Sequence, residues 1–194
     1  MTAICIIPAR GNSQRIPKKN IKHFYGRPII AYSILRARSS ACFDRIVVST
    51  DDEQTAKIAR FYGAEVHARS EHGARDDTGT QEVMTEVLMD LKINTGLACC
   101  IYPCAPLIHD GDLMIAKRWL EDDLTMFYVM TVGANPLRDA GQWYFGQAVA
   151  FFNRAALIGK YTRLFRLPDA RVCDINTMDD WGRATKLYRE MWGG

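Results

Sequence analysis

Short apolar runs alternate with helical patterns along nearly the whole chain, and few folds accommodate that rhythm. Residues 3–8 (AICIIP), 44–50 (DRIVVST), 64–68 (AEVHA), 97–103 (LACCIYP) and 125–132 (TMFYVMTV) read as strands. Residues 142–152 read as a strand pair around Gly146, and 171–175 (RVCDI) as a last strand. Between them, 28–40 places Ile30, Ile34 and Ala37 at helical spacing, with Pro28 suited to the first turn. Residues 52–63 turn Ala56, Ile58 and Ala59 inward and end on Gly63, a C′ residue. Residues 81–92 repeat Val83, Val87 and Leu91, and helices are also expected over 111–122 and 178–191. Strand–helix alternation of this kind predicts an α/β fold: a Rossmann-like three-layer α/β/α sandwich with a mostly parallel sheet, in one domain over 1–194. Ligands in such sheets bind at the carboxyl ends of the strands. One rim should therefore carry the loop after the first strand, the Thr50–Asp51 turn, the polar 69–80 segment and the 103–109 loop.

Apolar residues make up 48% of the 194 and charged residues 24%, so a folded core is expected. The net charge is only +3, which argues against duplex nucleic acid as the partner. No stretch approaches a membrane span, and the N-terminal apolar run is too short for a signal peptide. Four of the six cysteines lie in or beside apolar runs, where thiols pack as small hydrophobes. Cys99, Cys100, Cys104 and His109 lack the spacing of a zinc site. Free thiols suit a reducing cytoplasm. There is no internal repeat and no low-complexity tract.

The first strand runs straight into PARGNSQRIPKKN, where Arg10, Arg15, Lys18 and Lys19 crowd together. This is neither a Walker A loop nor a G-x-G-x-x-G fingerprint. Gly11 permits a sharp turn, Asn12 and Ser13 add hydrogen-bonding groups, and successive N–H groups there can form an anion nest. Arg10 and Lys19 could neutralise a polyphosphate. A solvated basic loop fits the same residues equally well.

The loop, the following GRPIIAYSI and DRIVVSTDD together resemble the CMP-sialic acid synthetase (acylneuraminate cytidylyltransferase) family, a nucleotide-diphospho-sugar transferase type of fold. YGAEVHARSE, DDTGT, CIYPCAPLI, DAGQWYFG and RVCDINTMDDW are most similar to its bacterial pseudaminic acid branch. The resemblance covers nearly the whole chain. It implies transfer of CMP from CTP to a nine-carbon sugar acid, with Mg²⁺ as cofactor and a homodimer as the assembly.

Residue by residue, the resemblance implies that Arg10 and Lys19 hold the triphosphate, with Ala9, Gly11, Asn12, Ser13 and Asn20 beside the nucleotide. It puts Arg69 near the cytosine, Asp77, Thr78 and Thr80 on the nucleotide side, and Pro103 and Tyr102 along the base or sugar pocket. Asp139, Gln142 and Tyr144 would contact the sugar acid. D-T-G-T also reads as a plain helix cap, 102–105 as loop packing, and Trp143 and Phe145 as core. Asp174 falls on the family's metal-binding D-x-D, but this chain reads Asp174-Ile175-Asn176. Asn176 offers an amide oxygen without charge, so a weaker site or a second carboxylate from elsewhere is expected. Residues 174–176 also read as a cap of the last helix, with Thr177 or Asn176 as N-cap.

Two further departures stand out. Gln14 replaces a lysine common in relatives, although Arg15 is adjacent. Only GANPLR (133–138) occupies the place of a longer arm that in relatives serves dimerisation and the sugar site. His23, His67, His72 and His109 are scattered, and none reads as a general base. The alternatives are a cytidylyltransferase for sialic or legionaminic acid, or a CTP-binding protein without turnover. A glycosyltransferase leaves the basic loop unexplained.

Overall fold

The computed structural model describes residues 1–75, 77–134 and 139–193. In chain order it runs β1 (Ala3–Pro8), a small hairpin of β2 (His23–Phe24) and β3 (Arg27–Pro28), α1 (Ile29–Ser39), β4 (Arg45–Thr50), α2 (Glu53–Phe61) and β5 (Glu65–Ala68). Then follow α3 (Thr80–Asp90), β6 (Leu97–Ile101), α4 (Asp110–Asp122), β7 (Tyr128–Val132), β8 (Asp139–Gln147), α5 (Ala148–Phe152), β9 (Thr162–Arg166) and α6 (Met178–Trp192). Seven strands form one sheet in the order β5-β4-β1-β6-β8-β7-β9. Only β8 runs against the rest, antiparallel to both β6 and β7. The expected three-layer sandwich is therefore observed.

Strand periodicity sorts the core onto two faces. Cys5, Ile7, Cys99, Ile101, Trp143 and Phe145 pack under α1, α2 and α4. Ile4, Ile6, Ala98, Cys100 and Tyr144 pack under α3 and α5. Cys99 and Cys100 thus point to opposite faces and cannot converge on one ion. All six cysteines are free and buried. Among the described residues, no helix is long and apolar enough to cross a membrane. A third cluster joins Ile16, Phe24, Ile29, Cys173, Ile175 and Trp181, and braces both the basic loop and the 173–175 segment from behind.

Most expected elements appear within a few residues of their predicted ends. Gly63 follows α2 at φ +87°, and Pro28 sits at the N-cap of α1. Two readings need correction. Residues 142–152 are one strand, β8, followed by helix α5, and not a strand pair. Gly146 serves close approach rather than a turn: a Cβ there would lie 2.3 Å from the Tyr128 ring. Residues 171–175 form no strand. A 3-10 turn, Asp169–Arg171, leads into irregular chain, anchored where Arg171 Nη1 meets Asp112 Oδ2 at 2.8 Å. The last strand is instead the partly exposed β9, whose charged residues hide its pattern. Most of the short 133–138 link lies outside the described residues.

Candidate functional site

The carboxyl ends of β1, β5 and β6 and the start of β8 frame a cleft of about 400 Å³. The basic loop enters it under tight control. Ala9 N–H donates to Ser49 O at 2.9 Å, extending the β1–β4 ladder by one residue. Gly11 N–H then donates to Asp51 Oδ1 at 2.8 Å. A Cβ on Gly11 would stand 2.7 Å from Asp52 Cβ, so the loop can pass there only as glycine. Asp52 itself caps α2 through Thr55 N–H.

Asn20 closes the loop. Its Nδ2 donates to Arg10 O at 2.8 Å, and its Oδ1 accepts from Cys104 Sγ at 3.3 Å. Lys18, at φ +52°, turns its amine out to Gln54. Lys19 turns inward, and its Nζ donates to Ile175 O at 2.7 Å. The loop is thus a held structure, and its cations are sorted between solvent and cleft.

The opposite wall carries carboxylates. Asp139 accepts from Tyr102 Oη and from Gly141 N–H, both at 2.8 Å. Gly141 adopts φ +70°, and a Cβ on it would fall 2.7 Å from Asp174 Cβ. That left-handed residue lets the start of β8 lie against the 174 segment, so both carboxylates line one cleft. Asp139 stands exposed at the mouth, its carboxyl turned to Tyr102 and Gly141. Burial pushes its pKa up, the charge of Asp174 adds to this, and the two hydrogen bonds oppose it. Burial also raises the Tyr102 pKa, with Asp139 reinforcing it.

Asn176 is oriented by both neighbours. Its Oδ1 accepts from Arg15 Nη2 at 2.8 Å, and its Nδ2 donates to Asp174 Oδ2. A hard divalent cation requires oxygen donors, with one or two carboxylates beside phosphate. Asp139 and Asp174 fit that requirement. Asn176 does not, because the amide presents nitrogen to Asp174 and its oxygen is taken. Asp174 and Asn176, the pair expected from sequence, stand side by side in the cleft, and Asp139 lines it with them.

Arg69 follows β5, its N–H donating to Thr50 O at 3.1 Å. Its Nη2 is buried without a hydrogen-bond partner among the described residues, and the side chain lines the cleft. Burial lowers its pKa; Asp51 and Glu86 oppose this and the charge of Arg10 adds to it. An arginine brought close to another arginine, with an unused donor, suits an anionic or carbonyl-bearing ligand.

Of the residues singled out in the sequence, Arg10, Ser13, Gln14, Arg15, Lys19, Asn20, Arg69, Thr78, Thr80, Tyr102, Pro103, Asp139, Asp174 and Asn176 line the cleft. The others do not. Ala9 is buried and Asn12 is exposed beside the loop. Asp77 is exposed and forked to Arg75 at 2.8 and 3.0 Å. Gln142 is buried with its Nε2 donating to Arg171 O. Tyr144 is wholly buried against Tyr102 and Phe151. Gln142 and Tyr144, expected to contact the sugar, lie away from the cleft for a shared reason: β8 is an interior strand covered on both faces, so only its start opens on the cleft. Sequence reasoning missed Gly141, whose D-x-G spacing from Asp139 was the available signal. The D-T-G-T cap is Gly79, with no side-chain acceptor, and Thr177 caps α6 in a capping box with Asp180.

A cytidylyltransferase family model matches residues 4–168. A Campylobacter jejuni (serotype O:23/36, strain 81-176) pseudaminic acid cytidylyltransferase is 32% identical over 97% of this chain and 97% of its own. That alignment extends over 225 positions against the 194 residues of this chain, so it contains gaps in this chain. A CMP-N,N'-diacetyllegionaminic acid synthase of Legionella pneumophila (strain Philadelphia 1) is 42% identical over 47% of this chain and 40% of its own. The solved structure of CMP:2-keto-3-deoxy-manno-octonic acid synthetase with CTP superposes at a TM-score of 0.76 and 16% identity. It covers 98% of this chain and all of that one, a likeness of fold.

Proposed function

The chain belongs to the cytidylyltransferase family, and on that premise we propose that it transfers CMP from CTP to pseudaminic acid, giving CMP-pseudaminic acid and pyrophosphate. The anomeric hydroxyl oxygen forms a bond to the α-phosphorus, the bond to the β-phosphate oxygen breaks, and the hydroxyl proton is released. The observation that carries the reading is the charge gathered in one cleft: Arg10, Lys19 and Arg69 line it together with Asp139 and Asp174, and Lys19 sits against Ile175 O beside Asp174.

Lys19 and Arg10 neutralise the triphosphate, and Asn20 fixes the loop that presents them. Arg69 takes the cytosine side. Asp174 and Asp139 would hold Mg²⁺ together with phosphate oxygens, and a cation so placed offsets charge on the departing pyrophosphate. Asn176 orients Asp174 and tethers Arg15. Positioning and charge neutralisation carry the chemistry, and none of the four histidines lines the cleft. A cytoplasmic homodimer belongs to this reading; six buried free thiols suit a reducing compartment.

Legionaminic acid is the second candidate acceptor, favoured by the half-chain likeness to a legionaminic acid synthase. Phosphorus NMR tests the reaction itself: CTP, Mg²⁺, pseudaminic acid and enzyme should yield a phosphodiester resonance and free pyrophosphate. Persistence of unreacted CTP would contradict the proposal.

A further inference from the structure

Behind the cleft, outside the machinery assigned above, a row of hydrogen bonds runs from the surface to Arg69. Asp90 is the last residue of α3, an unfavourable place for an acid beside the helix dipole. Its Oδ2 lies 2.9 Å from His67 Nε2. His67 Nδ1 lies 3.2 Å from Ser49 Oγ. Ser49 Oγ in turn accepts from Arg69 Nε at 3.3 Å. Ser49 and His67 are direct register partners across β4 and β5, and both are buried.

The proton assignments close on themselves. With Asp90 as the acceptor and the ring neutral, the ring proton sits on Nε2 and leaves Nδ1 as an acceptor. Ser49 must then donate to Nδ1, which turns its lone pairs toward Arg69 Nε–H. Every donor in the row faces an acceptor, in the direction Arg69 to Ser49 to His67 to Asp90. The arrangement holds serine, histidine and aspartate in line, but it is no nucleophilic triad: Ser49 is 0% exposed and already accepts from the guanidinium. Nor is the ring free to ligate a metal beside Glu86, since both nitrogens are engaged.

We infer that Ser49 and His67 are positioning residues for nucleotide binding: they fix the Arg69 side chain so that its unpartnered Nη2 faces the base. This rests on the reading of Arg69 as a nucleotide contact. Fixing one rotamer-rich side chain before the ligand arrives removes an ordering cost from binding.

The test is calorimetric binding of CTP and of inorganic tripolyphosphate to the full chain carrying Ser49→Ala, His67→Gln, His67→Asn or Arg69→Ala, and the Ser49→Ala/Arg69→Ala pair. Ser49→Ala and His67→Gln should weaken CTP about tenfold, the scale of one hydrogen bond to a charged group, and leave tripolyphosphate within about twofold. His67→Asn, whose amide can replace Nδ1, should recover most of the loss. Ser49→Ala should add nothing once Arg69 is alanine. CTP affinity unchanged by Ser49→Ala but reduced by Arg69→Ala would overturn the relay and leave Arg69 at the nucleotide. Equal losses for CTP and tripolyphosphate would also overturn it, as general loosening. CTP affinity unchanged by Arg69→Ala would overturn both.

Discussion

Asn176 gives Asp174 a hydrogen bond instead of sharing a cation with it, and its amide oxygen is held by Arg15. Asp139 lines the same cleft across Gly141, and on the proposed function it supplies the charge that position 176 lacks. Asn176→Asp tests this exchange. It removes the donor and adds a third carboxylate to the cleft wall, so like charges repel until a cation binds. The half-saturating Mg²⁺ concentration should fall several-fold, and the metal-free thermal midpoint should drop. An unchanged Mg²⁺ dependence would mean that position 176 has no influence on the metal.

Asp139→Asn keeps the shape and removes the charge. Mn²⁺ binding followed by electron paramagnetic resonance should weaken at least tenfold, the cost of one of two hard anionic ligands. The metal-free protein should become no less stable, because the variant removes a carboxylate whose charge is disfavoured in place, with Asp174 contributing.

Asn20→Ala removes the amide that donates to Arg10 O and accepts from Cys104, and empties a site that is 6% exposed. A loss of about 1–3 kcal/mol in denaturant unfolding is expected for removing a buried, hydrogen-bonded amide. KM for CTP should rise more than KM for the sugar acid, since the loop presents Arg10 and Lys19. Equal rises would place the effect outside the triphosphate cradle.

Gly141→Ala forces a Cβ to 2.7 Å from Asp174 Cβ at a residue with φ +70°. The strained conformation alone costs about 1–2 kcal/mol. Displacement of Asp174 should additionally lower kcat, while Gly79→Ala, where nothing stands within 4 Å of an added Cβ, serves as the control.

Asp180 sets a pH dependence. Its carboxylate accepts from the Thr177 hydroxyl and from the N–H groups of Thr177 and Asn176, and these bonds lower its pKa, the Thr177 hydroxyl most. A carboxylate whose pKa is depressed on folding stabilises the fold above its unfolded pKa, and that stabilisation is lost as pH falls through the folded pKa. Asp180→Ala should cost about 1 kcal/mol at neutral pH, with the gap closing in acid below the ordinary carboxylate range. A gap that stays constant down to acid would remove the charge from the explanation.

The frame of this fold is legible because strand alternation is local. Cys5 and Ile7 against Ile4 and Ile6 declare a strand covered on both faces, and the rim follows from sheet topology. The basic loop was legible too, since its charges are adjacent in sequence. What escaped sequence reading was set by tertiary packing. Asp139 and Asp174 are separated by a strand, a helix and an edge strand, and only the left-handed Gly141 brings them together. Ser49 and His67 meet through parallel register, which periodicity does not give. The apolar character of 171–175 belongs to packing under α6, where Cys173 and Ile175 join Trp181. Gln142 and Tyr144 look polar and available in sequence, yet their strand is interior.

The central claim is that the polar cleft turns over CTP against one nonulosonic acid. Its most direct test is pyrophosphate release from CTP and Mg²⁺, with pseudaminic, legionaminic and sialic acids in parallel. Release with pseudaminic acid, and much less with the other two, is the predicted result. Measurable CTP binding without release for any of the three would contradict it, and would leave a nucleotide-binding protein without turnover.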